Sequence, residues 1–392
     1  MASWAEICDG MHVSAVTLRN VVEAGPWRLG DYSLLAPLGR GGMARLYVAR
    51  DERNGELCAV KLALSDQPYA RLIREARLSA AVRHRGVVRT RRIVRPRGQA
   101  PFMVMEYVEG LDLRELLGLC TRRRISPPLA VRLGIVIAVL EALEAVHRAR
   151  RKKGGRLGLI HRDISPSNVI LSFDGRIQLC DFGIAIAAGR GLAAPEQIEG
   201  KAAYMSPEQA RGEPFDRRAD VYSVGVLAWE LLNGRRMRSA PSRDALLGVA
   251  ASGQVPPRIV RGIAGEAELF DILTRALSLD PRQRFATATS MRRALEAYCE
   301  RHRLRADRKA VRAFLRQHFE QERARRPGTP FAAFSELSPE TPTESGIRRV
   351  VRRVAPDVAA APPQRSSRAV LAVRAFALLT ALLLLLYGLG AV

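Results

Sequence analysis

A short polar run enclosed by apolar residues constrains the fold of this chain more than any other part of its sequence. Residues 161–168 read His-Arg-Asp-Ile-Ser-Pro-Ser-Asn, between apolar residues at 159–160 and 169–171. Packed flanks of this kind hold a polar loop in one place. A second motif, Asp-Phe-Gly at 181–183, follows a predicted strand at 177–180. Three polar side chains in these motifs are the first candidates for a functional site: Asp163, Asn168 and Asp181.

The residue types in the two motifs suit phosphoryl transfer. That reaction needs metal ligands on the nucleotide phosphates and a carboxylate that orients the attacking hydroxyl. Asn168 and Asp181 supply oxygen ligands of the kind that Mg²⁺ prefers, and Asp163 supplies the carboxylate.

Two features nearer the N-terminus fit the same chemistry. Residues 39–42 read Gly-Arg-Gly-Gly between two predicted strands, and glycines there let the backbone approach phosphate groups. Lys61 lies within a predicted strand, and Glu75 follows on a predicted helix at a spacing that allows an ion pair. Each feature alone is common, because a tight hairpin or a solvent-facing lysine would look the same.

The hydrophobic pattern predicts an α+β fold with two lobes. Residues 32–107 contain short apolar runs typical of strands and one helical pattern, whereas residues 108–298 are mostly helical. In the first lobe we predict strands at 32–37, 45–49, 57–62 and 102–108 and a helix at 69–82; in the second lobe we predict helices at 129–149, 220–233, 242–252, 267–277 and 286–298.

Taken in order, these motifs resemble the signature set of the protein kinases. They are most similar to bacterial serine/threonine kinases of the eukaryotic (Hanks) type. The set comprises the glycine-rich loop, the strand lysine, the helix glutamate, H-R-D-x-x-x-x-N and D-F-G. Residues 204–209, 220–225 and 280–285 resemble further family motifs, so the likeness covers residues 32–298. It implies a two-lobed kinase fold, ATP and Mg²⁺ as cofactors with Mn²⁺ as an alternative metal, and transfer of the γ-phosphate to Ser or Thr of proteins.

The resemblance also implies roles for individual residues. Asp163 would be the catalytic base, Lys61 would contact phosphates with support from Glu75, and Asn168 and Asp181 would bind the metal. Met105 would be the gatekeeper, and Arg284 would pair with Glu208. The residues expected to contact the nucleotide are Leu38, Gly39, Arg40, Gly41, Gly42, Leu46, Ala59, Lys61, Glu75, Met105, Asp181 and the backbone of Glu106 and Val108.

Four positions depart from the family pattern. Ala44 replaces the third glycine of the loop, and Leu46 replaces the usual valine. Ser165 stands where serine/threonine kinases have a lysine that neutralises charge on the transferred phosphoryl group, and Lys201 stands where they have threonine. We hypothesise that Lys201 brings the missing ammonium to Asp163 and is a fourth catalytic residue; a solvated loop lysine is the alternative. These departures leave a preference for tyrosine open.

The segment between the two halves of the expected site lacks a phosphorylation switch. Residues 184–200 contain no Ser, Thr or Tyr. Many relatives are activated by a phosphate in this segment that pairs with the arginine of H-R-D. We expect constitutive activity or activation by another route, with Glu196 or Glu199 pairing with Arg162.

The chain is strongly basic, with a formal net charge of +24. Residues 301–392 alone hold seventeen Lys or Arg against seven Asp or Glu. Such a charge favours anionic partners, although an arginine-rich proteome would produce it as well. No nucleic-acid-binding motif is found, so we expect no nucleic acid partner. The basic insert 148–156 is predicted to be a solvated loop, with docking to acidic substrates or anionic lipid as the alternative. Five cysteines without paired spacing indicate a reducing compartment.

The two ends of the chain differ from its centre. We predict an N-terminal extension at 1–31 without a cleavable signal peptide, a basic helical extension at 299–326 and a disordered linker at 327–368. A transmembrane segment is predicted at 369–392, because residues 375–392 carry no charge and would rise about 27 Å as a helix, close to the roughly 30 Å of a bilayer core. Arginines on its N-terminal side favour a single-pass protein of the cytoplasmic (inner) membrane with the kinase domain in the cytoplasm. A buried core helix is the alternative.

Two other functions remain open at this point. One is a pseudokinase scaffold that binds nucleotide and partners without phosphotransfer, for which Ser165 is the sequence support. The other is a small-molecule phosphotransferase of related fold. Homodimerisation is compatible with the sequence.

Overall fold

The computed structural model describes the two predicted lobes and the segment that follows them. The described residues are 27–40, 44–63, 69–96, 100–151, 154–181, 186–187, 200–257 and 262–326.

The N-terminal lobe is a six-stranded antiparallel sheet with strand order β1-β2-β3-β4-β6-β5. The four strands predicted from sequence are confirmed, and two more, β1 and β5, extend the edges of the sheet. The strands are β1 Trp27–Leu29, β2 Tyr32–Arg40, β3 Ala44–Asp51, β4 Leu57–Ala63, β5 Thr90–Val94 and β6 Phe102–Glu106.

The two faces of this sheet bury different clusters. Alternate residues of a strand point to opposite faces, so Val60 packs in one cluster while Ala59 and Met105 pack in the other. Helix α1 Tyr69–Ser79 covers the second face. Lys61 shares the parity of Ala59 and therefore points toward α1.

The C-terminal lobe is mostly helical, and the five helices predicted there are confirmed. Short strands between the helices form two small sheets, β7-β9-β10 and β8-β11. The elements are β7 Gly110–Asp112, α2 Leu113–Arg122, α3 Leu129–His147, β8 Leu159–Ile160, β9 Val169–Ser172, β10 Ile177–Leu179, β11 Ile186–Ala187, α4 Pro207–Ala210, α5 Arg218–Asn233, α6 Arg243–Ser252, α7 Glu266–Ala276 and α8 Ala288–Arg301.

Helix α5 forms the centre of this lobe. Every residue of α5 from Ala219 to Leu232 is buried, and α3, α7 and α8 pack around it. A helix that is buried on all sides places any polar group it carries inside the lobe. Asp220, in its first turn, is fully buried.

The predicted basic helical extension at 299–326 contains two short helices, α9 Arg308–His318 and α10 Glu320–Ala324. Asp307 caps α9 by accepting a hydrogen bond from the backbone N–H of Ala310 at 2.9 Å. Phe319 separates the two helices because its ring is fully buried against Phe314. Helix α9 packs against α3, so this segment is a part of the C-terminal lobe.

Gly110 allows a close approach between the backbones of β7 and β9. A Cβ at this position would lie 2.2 Å from the carbonyl oxygen of Leu171 on β9. We expect Gly110→Ala to lower the free energy of unfolding by about 1–3 kcal/mol, because β7 must move away from β9. Gly248→Ala is the matched control: a Cβ there has no neighbour within 4 Å, and alanine favours the helix α6. Urea unfolding of both variants measures the difference, and equal stabilities would contradict the expectation.

None of the helices in the described ranges combines the length and the apolar character needed to cross a membrane. The predicted linker 327–368 and transmembrane segment 369–392 lie outside the described residues, as do residues 1–26. In the basic insert 148–156, Arg150 and Arg156 form an isolated antiparallel bridge, and residues 152–153 lie outside the described residues.

Candidate active site

A buried carboxylate on the central helix holds the polar loop 161–168. Asp220 accepts hydrogen bonds from the backbone N–H groups of His161 and Arg162, each at 2.8 Å, and lies 2.8 Å from Nε2 of His147. Burial acts to raise the pKa of Asp220, but the hydrogen bond to His147 and the bonds to the loop lower it below its ordinary value. The loop is therefore anchored to the most buried helix of the lobe.

The site contains strained backbone at two positions. Arg162 and Asp181 have φ angles of 69° and 67°, in the left-handed region that non-glycine residues rarely adopt. Such conformations cost about 1–3 kcal/mol each and persist only where surrounding structure enforces them. The guanidinium of Arg162 also lies 5.3 Å from the ring centroid of Phe215. The backbone bonds to Asp220 and this contact keep Arg162 in place.

Asp163 and Asn168 lie in direct contact within the loop. The Asn168 side-chain amide donates to Oδ2 of Asp163 at 2.8 Å and to its backbone carbonyl at 2.7 Å. These bonds fix the orientation of the Asp163 carboxylate, as its predicted role of catalytic base requires.

Lys201 completes this arrangement from a distant part of the chain. Its ammonium donates to Ser165 Oγ at 2.9 Å, to Asp163 Oδ2 at 3.2 Å and to Asn168 Oδ1 at 3.2 Å. Its backbone N–H also donates to Asp163 Oδ1 at 3.0 Å. Lys201 thus contacts three residues of the loop singled out from the sequence, Asp163, Ser165 and Asn168. Its ammonium lies beside Ser165, where the loop has no lysine of its own.

The predicted pair between strand and helix is formed. Lys61 Nζ lies 2.7 Å from Glu75 Oε1 and is also hydrogen-bonded to Asp181 Oδ1. Burial acts to raise the pKa of Asp181, but Lys61 outweighs it and lowers that pKa. Burial raises the pKa of Glu75 to about 7 against the opposing effect of Lys61.

An apolar cluster flanks these charged groups on the side of the N-terminal lobe. Ala59 and Met105 are buried in it, and Leu38, Leu46 and Val108 pack against it with part of their surface exposed. Five predicted nucleotide contacts are thus brought together. Two further members of the cluster, Ile170 and Cys180, come from the second lobe and were not predicted. The backbone N–H of Glu106 is already engaged, since it donates to the carbonyl of Arg89 at 2.8 Å.

Several predicted site residues lie outside the described residues. These are Gly41 and Gly42 of the glycine-rich loop, Phe182 and Gly183 of the second motif, and Glu196 and Glu199. Gly39 and Arg40 lie at the end of β2, immediately before that loop.

The predicted pair of Arg284 with Glu208 is confirmed. Two guanidinium nitrogens of Arg284 lie 2.6 and 2.8 Å from the two carboxylate oxygens of Glu208. Both side chains are buried, so the pair fixes α4 to the segment that follows α7. Since α4 comes six residues after Lys201, this pair also anchors the segment that carries the ammonium.

Tyr204 is closed to modification in this structure. Its hydroxyl donates to Glu230 Oε2 at 2.6 Å and accepts from Arg236 at 2.8 Å, and the residue is 3% exposed. Burial and Glu230 raise its pKa well above the ordinary value. A kinase could reach this hydroxyl only if the segment opened.

Arg238 contacts the segment that follows Lys201, and the sequence pattern did not reveal this contact. It is buried, and its guanidinium donates to the backbone carbonyls of Met205 at 2.7 Å and Ala203 at 3.4 Å and to the hydroxyl of Tyr222. These bonds fix the backbone directly after Lys201. We assign Arg238 as a positioning residue, since it acts through that backbone.

Arg238→Met should lower the free energy of unfolding by about 1–3 kcal/mol, because two buried carbonyls lose their donor. It should also lower kcat more than it raises KM for ATP, because Lys201 is placed less well. Steady-state kinetics and thermal unfolding measure both effects, with the exposed Arg243→Met as control. A variant that is less stable but keeps wild-type kcat would leave Arg238 a purely structural residue.

Comparison with known proteins agrees with this geometry. Residues 32–296 match the model of the protein kinase domain. Similar curated proteins include the tyrosine-protein kinase MasK of Myxococcus xanthus, 35% identical over 75% of this chain and 47% of its own length. A probable serine/threonine-protein kinase of Streptomyces coelicolor is 39% identical over 69% of this chain and 40% of its own length. The serine/threonine-protein kinase PknB of Mycobacterium tuberculosis is 33% identical over 68% and 43%.

The chain spans less than half the length of these relatives. The matched region nevertheless covers both lobes and every element that carries the site. The chain therefore belongs to the protein kinase family, among the bacterial kinases of the eukaryotic (Hanks) type.

Proposed function

We propose that this protein is an active kinase that transfers the γ-phosphate of ATP to Ser or Thr hydroxyls of protein substrates. The observation that carries the proposal is the contact of Lys201 Nζ with Asp163, Ser165 and Asn168. The ammonium of Lys201 supplies the positive charge that the loop 161–168 lacks at Ser165. The names of the Streptomyces and Mycobacterium relatives support this substrate class.

The residues present fit a divalent metal. Asn168 Oδ1 and the carboxylate of Asp181 are hard oxygen donors suited to Mg²⁺. Asn168 Oδ1 already faces a cation, because the Lys201 ammonium lies 3.2 Å from it. When bound, the metal would neutralise charge on the nucleotide phosphates.

The side chains of the chain divide the remaining work. Lys61, held by Glu75, is placed to contact the phosphates, and the apolar cluster around Ala59 and Met105 excludes water from the adenine. Asp163, fixed by Asn168, accepts the hydrogen bond of the substrate hydroxyl and then its proton. Lys201 stabilises the negative charge on the phosphoryl group while this group passes from ATP to the substrate hydroxyl.

The test is phosphotransfer from labelled ATP and Mg²⁺ to a protein substrate by the full chain. We expect activity that Asp163→Asn lowers by at least about 100-fold, with folding and nucleotide binding retained. Phosphoamino acid analysis of the product then separates Ser/Thr from Tyr, a choice on which the names of the relatives differ. Absence of transfer by a chain that binds ATP would overturn the proposal.

We also propose that residues 369–392 hold the kinase at the cytoplasmic face of the membrane. The uncharged run 375–392 and the arginines before it support this topology. Full-length protein expressed in bacteria should remain in the membrane fraction after an alkaline wash, and deletion of 369–392 should release it. Retention of the deletion variant would contradict the proposal.

We expect the kinase to be active without phosphorylation of its activation segment. Residues 184–200 have no hydroxyl side chain, and the Tyr204 hydroxyl is buried. Treatment with a phosphatase, confirmed by mass spectrometry, should leave turnover unchanged. A large loss of turnover on dephosphorylation would show a phosphate-dependent switch elsewhere in the chain.

A further inference from the structure

Helix α9 has two faces of opposite character. Val311, Phe314 and Leu315 are buried in the core of the C-terminal lobe. Lys309, Arg312 and Arg316 are exposed. With 3.6 residues per turn, these three cations form one stripe on the side opposite the buried residues.

The stripe continues onto the turn between β9 and β10. The backbone of Gly175 packs so closely against α9 that a Cβ there would lie 2.8 Å from the Cβ of Arg312. Arg308 in α9 and Arg176 in the turn both bind Asp174, at 2.9 and 3.0 Å. The turn and the helix therefore form one surface.

Beyond the turn, the surface continues to the N-terminal lobe. Arg176 lines an open cavity of about 380 Å³ together with arginines of the segment between α1 and β5. We name this continuous surface the back face and define it by its cations Arg83, Arg85, Arg89, Arg176, Arg308, Lys309, Arg312 and Arg316.

Few carboxylates balance these cations. Glu141 binds Arg85 at 2.9 Å, Asp174 binds two arginines, and Glu106 lines the cavity. Within the part of the chain that the structure describes, five exposed cations of the back face form no ion pair: Arg83, Arg89, Lys309, Arg312 and Arg316. A surface with this excess of exposed cations favours an anionic partner.

The back face lies away from the catalytic groups. Asn168 and Asp181 lie at one end of the β9–β10 hairpin, and Gly175 lies at the other. Four extended residues separate these ends by about 13 Å. A partner bound to the back face would leave the cleft between the lobes open.

We propose that the back face binds the anionic lipid headgroups of the membrane to which the tail holds the chain. This inference rests on the proposed tether of residues 369–392. A tether of this kind keeps the kinase domain near the bilayer, where exposed Lys and Arg are attracted to anionic lipid. The exposed side of α9 carries cations and no apolar residue larger than Ala313, which indicates binding at the surface rather than insertion.

The test places the full chain in lipid nanodiscs of phosphatidylcholine, with or without about 30% phosphatidylglycerol that carries a photoreactive headgroup. Mass spectrometry locates the crosslinks. We expect them within residues 308–316 and 174–176, with a yield that falls at least tenfold in the triple variant Lys309→Glu, Arg312→Glu, Arg316→Glu. The control variant, Arg243→Glu, Arg282→Glu, Arg293→Glu, reverses three exposed arginines elsewhere and should keep the yield.

Two results separate failure of the tether from failure of the back face. Incorporation into phosphatidylcholine discs reports on the tail alone, and its absence would overturn the tether. Binding of the same chain to preformed phosphatidylglycerol vesicles would then test the back face by itself. Equal crosslink yields from the two triple variants would overturn the lipid assignment. Tighter binding of the chain to poly-glutamate or duplex DNA than to anionic vesicles would overturn it as well.

Discussion

Lys201→Met should lower kcat about 100- to 1,000-fold while KM for ATP changes little, and Lys201→Ala should do the same. Removal of one preorganised donor to a transition state has an effect of this size. The ammonium lies within 3.2 Å of oxygens on Asp163, Ser165 and Asn168. Because its charge matters most when the phosphoryl group is in transit, the loss appears in kcat.

A swap variant distinguishes this role from a structural one. Ser165 Oγ and Lys201 Nζ are 2.9 Å apart, so Ser165→Lys combined with Lys201→Thr delivers an ammonium to the same place from the other side. We expect the swap to recover at least a tenth of wild-type kcat, whereas Lys201→Thr alone does not. Lys309→Met, on an exposed helix face, is the control and should leave turnover on a soluble substrate unchanged.

The hypothesis fails if Lys201→Met and Lys201→Ala both keep wild-type turnover. It fails too if the swap variant folds and binds ATP but recovers no activity. Circular dichroism and nucleotide titration establish folding and binding for each variant.

Arg284→Met should lower the free energy of unfolding by about 3–5 kcal/mol, because it leaves the charge of Glu208 buried without a partner. Arg284 is buried, donates to both oxygens of Glu208, and also donates to the carbonyl of Ser278 at 2.7 Å. For a domain of this size the melting temperature should fall by roughly 10 °C.

A double-mutant cycle isolates the interaction between the two side chains. The double variant Arg284→Met, Glu208→Met removes both charges and should be less destabilised than the sum of the single variants. Arg323→Met is the control, since its pair with Glu320 is exposed at 3.1 Å and such pairs contribute at most about 1 kcal/mol. Strict additivity of the two single variants would contradict a coupled buried pair.

Much of the site could be predicted because its parts lie close together in sequence. Asp163 and Asn168 are five residues apart in one loop, and the apolar flanks of that loop mark its ends. The lobes could be predicted as well, since strands and amphipathic helices leave periodic patterns. Helix α5 was found by its apolar content, although its buried Asp220 was not recognised as the anchor of the loop.

Other features left no local pattern. Arg238 is a buried arginine, and because charged residues are normally exposed, no sequence pattern marks it as buried. The break between α9 and α10 depends on burial of Phe319 against Phe314, which a helical pattern alone does not reveal. The back face joins residues 83–89, 176 and 308–316, and these segments meet only in the folded chain.

The polar run at 161–168 thus determined by itself that this chain forms a kinase loop that carries both Asp163 and Asn168. It could not determine how the loop acquires its ammonium. Lys201 lies thirty-eight residues from Asp163, and a lysine at that distance is as compatible with solvent as with the site. Only the tertiary structure decided the matter, because the buried bonds of Arg284 and Arg238 position the segment after Lys201 and so place its ammonium against the loop.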